Sequence, residues 1–265
     1  MCRWLAYSGP PIYLEDVIFK PENSLIRQSR DARHSVQPTN GDGFGLGWYA
    51  GREAPGLFRD VRPAWNDDNL LSLAEQIRSP LFFAHVRATT GTSTARANCH
   101  PFRVGRWLFM HNGQIAGYEE LRRRIDFLIP APLYRYRRGI TDSEAIFLLL
   151  LANGLEEDPG RAFGKVLALI GEVMREEGVS GPLRVTAAAT DGQKIVAVRY
   201  ANDGDGPTLY YGHACSEAEI IGAPGGVLVL SEPLDSIQGN WNEVGASSLL
   251  IAGDGAVVVH PLALH

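Results

Sequence analysis

A chain of 265 residues with 45% hydrophobic and 21% charged side chains is long enough to bury a core without disulfide or metal staples. Its formal charge of −5 excludes the basic footprint of a nucleic-acid binder. Its three cysteines, Cys2, Cys99 and Cys215, are too few and too scattered for a disulfide framework, and the longest apolar run, "AIFLLLLA", is too short to span a bilayer. The expectation is a cytoplasmic protein in a reducing compartment, with no membrane partner.

The chain opens with "CRWLAYSG", extended in character and ending at Gly9-Pro10-Pro11. Short helices are expected around "LEDVIF" and "NSLIRQS". A polar, glycine-rich segment, "HSVQPTNGDGFGLGWYAG", leads into a strand carrying Phe44, Leu46 and Trp48 on one face. "DDNLLSLAEQIRS" reads as a helix with acidic capping residues that ends at Ser79-Pro80. Two strands, "LFFAHVRA" and "RWLFMHNG", flank a loop containing "TTGTSTARANCHPF". The basic run "LRRRIDFLIPAPLYRYRRG" reads as a solvated helix edge plus a loop. In "TDSEAIFLLLLANG", Thr141 with Glu144 fits a capping box, and Asn153-Gly154 fits a helix stop. Another helix covers roughly "DPGRAFGKVLALIGEVMREEG". From Leu183 onward the chain is strand after strand: "LRVTAAATD", "KIVAVRYA", "PTLYYG", "GVLVLSEP", "SSLLIAG", "AVVVHP". Helices in the middle and strands at both ends argue for one α+β domain over residues 1–265, with two antiparallel sheets and helices packed outside.

The chemistry starts at the terminus. Cysteine is small enough for the initiator methionine to be removed, which would leave Cys2 with both a thiol and a free α-amine. Such an amine has a reference pKa of about 7.7–8.0, so it is partly neutral at physiological pH and can act as base for its own thiol. A buried core cysteine is the competing reading. Acyl transfer from an amide needs preorganised N–H donors, and "HNGQ" supplies the Asn112 amide and the Gly113 backbone N–H. The same Asn-Gly pair is also a strong hairpin turn signal. An amino-acid substrate needs an arginine for its carboxylate and an acid for its ammonium; Arg87 in "HVRATTG" and Asp142 in "TDSE" are candidates. Thr141 provides the helix cap, which leaves Asp142 free for that task. His85, His100 and His111 stand near strand ends without a ligand-helix motif such as H-E-x-x-H, so no metal is expected. "GDGFGLG" fits neither the dinucleotide fingerprint nor the P-loop and reads as a tight turn opening a strand.

Five motifs in order, "MC", "AHVRATTG", "NCHPF", "MHNGQIAGYEEL" and "TDSEAIF", resemble the class II glutamine amidotransferases of the N-terminal nucleophile superfamily. The later "LSEPLD" and "NWNEV" resemble the C-terminal strands of short, stand-alone members. That subgroup includes amidases of ergothioneine synthesis and glutathione breakdown. The resemblance implies a four-layer αββα sandwich and hydrolysis of glutamine or another γ-glutamyl amide, with no cofactor. It implies Cys2 as nucleophile, Asn112 and Gly113 as oxyanion hole, Arg87 on the α-carboxylate and Asp142 on the α-amine. Thr90 and His100 lie in motifs that line the glutamine pocket, and Asp42 and Gly43 in a segment near the nucleophile. Larger members often carry a tryptophan after the arginine, where this chain has Ala88. No synthase region follows, so the chain either releases ammonia or an amine, or passes ammonia to a separate partner protein. An inactive binding member is disfavoured because every catalytic residue type is present.

Overall fold

The structure, a computed structural model, describes residues 2–33, 38–89, 93–213 and 224–265. Strand β1 (Arg3–Tyr13) is followed by the short helices α1 (Glu15–Ile18) and α2 (Leu25–Arg30). Next come β2 (Phe44–Tyr49), β3 (Gly56–Asp60), α3 (Asp68–Gln76), β4 (Arg78–Val86), β5 (Phe102–Val104) and β6 (Trp107–Ile115). The helical middle is α4 (Tyr118–Phe127), α5 (Ala131–Tyr134), α6 (Asp142–Ala152) and α7 (Pro159–Glu176). Then follow β7 (Leu183–Thr190), β8 (Ile195–Ala201), β9 (Tyr210–His213), β10 (Val227–Leu230), β11 (Asn242–Glu243), β12 (Ser248–Gly253) and β13 (Ala256–Pro261). Among the described residues these strands form two antiparallel sheets. One has seven strands, β11-β9-β10-β1-β4-β2-β3, and the other six, β13-β12-β8-β7-β6-β5. No helix among the described residues is long and apolar enough to cross a membrane.

Side-chain alternation sets the layers. On β1, Leu5 and Tyr7 pack with Val17, Ile18, Leu25 and Leu70 of the helices outside that sheet. Trp4 and Ala6 face the other way and pack with Leu108, Met110 and Ala188 of the second sheet. The second sheet turns Phe109, Val185 and Ala187 outward, against Ile125, Phe147 and Phe163 of α4, α6 and α7. The order is helix, sheet, sheet, helix, the sandwich that the resemblance implied and the element pattern agreed with. Gly45 and Gly47 of β2 face the inner layer: a Cβ at Gly45 would collide with the His100 carbonyl, and one at Gly47 would lie 2.7 Å from Leu108. "GDGFGLG" therefore serves close packing between sheets as well as opening a strand.

Several local expectations need correction. β1 does not stop at Gly9-Pro10-Pro11; its register shifts between Ser8 and Ile12 and pairing resumes to Tyr13. Proline cannot donate to the ladder, so such an irregularity is where a strand accepts it. α3 ends at Gln76, and Ser79-Pro80 already belong to β4. Strands β3 and β5 are additions to the expected set: β3 (GLFRD) sets its two apolar residues side by side, without alternation, and β5 has only three residues. Thr141 does cap α6, accepting from the Glu144 N–H at 3.3 Å. The Glu144 carboxylate, however, turns to Arg137 (2.9 Å) and to the backbone N–H groups of Arg138 and Gly139, so the reciprocal half of the capping box is not made. Arg137, read as solvated, is buried between Asp126 and Glu144 and donates to the Tyr118 hydroxyl at 2.6 Å.

Candidate active site

The register of the first sheet brings three distant segments abreast. Arg3 and Phe44 both lie opposite Val86, so one step further Cys2, Arg87 and Gly43 share a rung across β1, β4 and β2. The ladder continues there: Arg87 N–H donates to the Gly43 carbonyl at 2.8 Å and Asp42 N–H to the Arg87 carbonyl at 3.0 Å. The Asp42 carboxylate accepts the Thr89 N–H at 2.8 Å, and the Cys2 thiol donates to the Ala88 carbonyl at 3.5 Å. The Arg87 guanidinium is buried and contacts the Asp42 carbonyl, the Thr89 hydroxyl and the Ser93 carbonyl at 3.4 Å each. Asn98 binds Ser93 and accepts the Ile140 N–H, both at 2.9 Å, tying this loop to the segment that enters α6.

Cys2 is held from behind by residues the sequence reading missed. Arg3 donates to the Cys2 carbonyl at 2.9 Å and pairs with Glu232 at 3.2 Å, both side chains 1% exposed. Glu232 also accepts from Asn23 (3.0 Å) and the Arg33 N–H (3.1 Å), joining the loop after α1 to β1. The available signals were an arginine inside an apolar strand and the "LSEPLD" motif that carries Glu232. Burial raises the Cys2 thiol above its ordinary pKa, against the lowering pull of the Ala88 backbone and the Arg87 and Arg3 charges.

The second sheet supplies the other half. Asn112 and Gly113 are not a turn; they lie within β6 opposite Thr186 and Val185 of β7. Leu108 and Met110 face the inner layer, so alternation directs Asn112 there too, as it directs Cys2 behind Trp4 and Ala6. The Asn112 Nδ2 is buried and has no hydrogen-bond partner among the described residues. Ile115 N–H donates to the Asp142 carboxylate at 3.0 Å, while the His111 carbonyl accepts from His85 Nε2–H at 3.4 Å. Both contacts lie on the edge of β6 away from β7, and the same period places the Gly113 N–H on that edge. β5 leaves it uncovered beyond Phe109. Gly113 has φ +152°, and a Cβ there would collide with the Arg184 carbonyl. Asp142 is not idle: besides Ile115, it accepts its neighbour Ser143 N–H at 2.8 Å.

The His85 and His100 rings stack with centroids 4.2 Å apart, and His100 meets the edge of Phe102 at 4.6 Å. Neither His100 nitrogen has a hydrogen-bond partner among the described residues. Burial lowers all three imidazoles, His85 to about 3. Among the described residues no group of three or more His, Cys, Asp or Glu is arranged to hold a metal. The structure thus joins Cys2, Asp42, Gly43 and Arg87 at the end of one sheet, and Asn112 and Gly113 of the other sheet with Asp142 at the start of α6. The His85–His111 hydrogen bond crosses between the sheets. His100 lies against His85, and Thr90 falls outside the described residues.

Residues 24–205 match the sequence profile described as glutamine amidotransferases class-II. The chain is 33% identical to a probable glutamine amidotransferase of Saccharomyces cerevisiae, DUG3, over 99% of this chain and 84% of that protein. It is 29% identical to the gamma-glutamyl-hercynylcysteine sulfoxide hydrolase of Mycolicibacterium smegmatis, over 99% of this chain and 100% of that one. A glutamine aminotransferase class-II domain protein from Silicibacter pomeroyi is similar over the full length of both chains, with a TM-score of 0.79 and 38% identity. The glutamine phosphoribosylpyrophosphate amidotransferase of B. subtilis matches all of this chain with 50% of its own, with a TM-score of 0.67. At 14% identity that likeness speaks for the fold alone.

Proposed function

The chain belongs to the class II glutamine amidotransferases, and from that premise we propose that it hydrolyses a γ-glutamyl amide through a thioester on Cys2. The observation that carries this reading is the buried, unpartnered Asn112 amide on the layer that Cys2 also faces. An unmet buried donor costs about 1–3 kcal/mol, and its retention is accounted for when a substrate oxygen completes it. Support comes also from the relative named as a gamma-glutamyl-hercynylcysteine sulfoxide hydrolase.

In this mechanism Met1 is removed and the Cys2 α-amine takes the thiol proton as sulfur attacks the amide carbonyl carbon. The carbonyl electron pair moves onto oxygen, where the Asn112 side chain and the Gly113 N–H donate. The C–N bond then breaks, the leaving nitrogen takes the proton, and ammonia or an amine departs. Water, deprotonated by the same α-amine, attacks the thioester, releasing glutamate and regenerating the thiol. Arg87 holds the α-carboxylate and Asp142, with lone pairs left after Ile115 and Ser143, the α-ammonium. Thr90, His100, Asp42 and Gly43 complete the surroundings of the glutamyl group. Residues 1–265 act as one unit in this reading, and release is to solvent.

The test is intact-mass measurement of purified protein combined with a screen of γ-glutamyl amides, glutamine included, for glutamate release. Activity confined to protein lacking Met1, and abolished in Cys2→Ala, is expected. Full turnover by protein whose mass includes Met1 would sink the α-amine mechanism.

A further inference from the structure

We propose that His111 is a positioning residue that couples the oxyanion edge of β6 to the ammonium-binding end of α6. The proposal rests on the roles given above to Gly113, Asn112 and Asp142. One imidazole joins three elements. Its Nε2–H donates to the Arg184 carbonyl of β7 at 3.3 Å, and its Nδ1 lies 2.9 Å from the Ser143 hydroxyl in the first turn of α6. A carbonyl only accepts, so in the neutral ring that burial favours the proton sits on Nε2; the Ser143 hydroxyl, 3.3 Å from the Asp142 carboxylate, then gives its one proton to Nδ1 at the shorter distance. The residue's own carbonyl accepts from His85 on the facing sheet at 3.4 Å.

The path to the oxyanion donor is direct. A Cβ on residue 113 would lie 2.6 Å from His111 Nε2 and would collide with the Arg184 carbonyl. The His111–Arg184 bond therefore runs through the space a side chain at 113 would occupy, against the Gly113 Cα. The path to the ammonium site is equally short. Ser143 is the chain neighbour of Asp142, whose carboxylate receives the Ile115 N–H at 3.0 Å and the Ser143 N–H at 2.8 Å. His111, Gly113 and Ile115 of β6 and Asp142 and Ser143 of α6 thus close a ring of contacts. That ring sets the spacing between the place where the amide oxygen is held and the place where the α-ammonium is held.

The two ring nitrogens can be tested separately. Diazo-oxo-norleucine labelling of Cys2 yields an apparent KI, which reports the glutamyl pocket, and a kinact, which reports the chemistry beside the oxyanion hole. Asparagine reaches about as far as Nδ1 and glutamine about as far as Nε2. His111→Asn keeps the Ser143 contact and loses the Arg184 one, so kinact should fall about 10–100-fold with KI little changed. His111→Gln does the reverse, so KI should rise about tenfold with kinact nearly kept. Ser143→Ala removes one hydroxyl from a helix first turn and should behave as His111→Gln. It remains informative even where a ring variant does not fold. Both constants moving together, in step with lost thermal stability, would make His111 merely structural. An unchanged KI in Ser143→Ala would break the link to α6. Asn112→Ala and Asp142→Asn run in parallel: if neither alters labelling, the roles assigned to the site fall, and this proposal with them. If both behave as assigned and the His111 pair does not split, the coupling alone is wrong.

Discussion

Asn112 and Arg87 are both buried polar side chains, but the proposed mechanism has them meet the substrate at different stages. If Arg87 grips a carboxylate that does not react, as proposed, Arg87→Lys should chiefly raise KM, because a point-charge ammonium cannot reproduce the guanidinium fork. If Asn112 meets charge that develops only in the transition state, as proposed, Asn112→Ala should lower kcat by about 10²–10³-fold with KM little changed. Steady-state kinetics on one γ-glutamyl substrate compares the two; a rise in KM alone for Asn112→Ala would remove it from the oxyanion hole. The cysteines differ as sharply. Burial raises the pKa of both thiols, but Cys99 is fully buried with its thiol engaged by the Asp60 and Ala95 carbonyls, whereas Cys2 is partly exposed. Peptide mapping after diazo-oxo-norleucine treatment should find the label on Cys2 and none on Cys99. Label on Cys99 would move the nucleophile to the "NCHPF" loop.

At the level of elements, β1 is tied by an ion pair to the far end of the chain. Arg3 and Glu232 are each 1% exposed, and Glu232 collects Asn23 and the Arg33 N–H as well. Removing one member of a buried pair strands the other's charge, so Glu232→Ala should destabilise the fold by about 3–5 kcal/mol. Chemical denaturation measures this. A loss below about 1 kcal/mol, the range of exposed pairs, would mean that water reaches Arg3. Thr141 anchors α6 with a single cap bond, so Thr141→Ala should cost about 0.5–2 kcal/mol. Because Asp142 is the next residue, that loss of order should also raise KM. An unchanged KM would show that the Ile115 contact alone holds Asp142 in place.

Three buried imidazoles give the whole molecule a pH dependence. His85, His100 and His111 are held by burial below the ordinary value of 6.5, His85 at about 3. Below 6.5, and for His85 down to about 3, the unfolded chain binds protons that the folded chain does not. Stability is therefore complete above the unfolded pKa and is lost as pH falls, by up to about 1.4 kcal/mol per pH unit for each ring. Denaturation midpoints should be level above about pH 7 and decline steeply toward pH 4, and His100→Phe should reduce the slope by one ring's share. An equally steep decline in that variant would place the pH dependence on the carboxylates instead.

What the sequence determined by itself is what neighbours a few residues apart can decide. Alternation marked the strands and, through "FGLGW", a face carrying Phe44, Leu46 and Trp48, which the structure packs outward. Thr141 and Asn153-Gly154 marked both ends of α6. The motifs around Cys2, Arg87, Asn112 and Asp142 were legible because each is a short run of residue types. The tertiary structure decided the rest. Asn112-Gly113 has the local preference of a hairpin turn, yet it is strand because β7, some seventy residues on, pairs with it. Arg3 finds Glu232 across 229 positions, and Cys2, Arg87 and Gly43 share a rung only through sheet register. Backbone preferences act over a turn or two, whereas the partner of a buried charge or an open strand edge is set by which strands lie side by side. Asp142 shows both levels in one residue: its place at the helix start was written locally, and its bond to Ile115 came with the packing of α6 on β6.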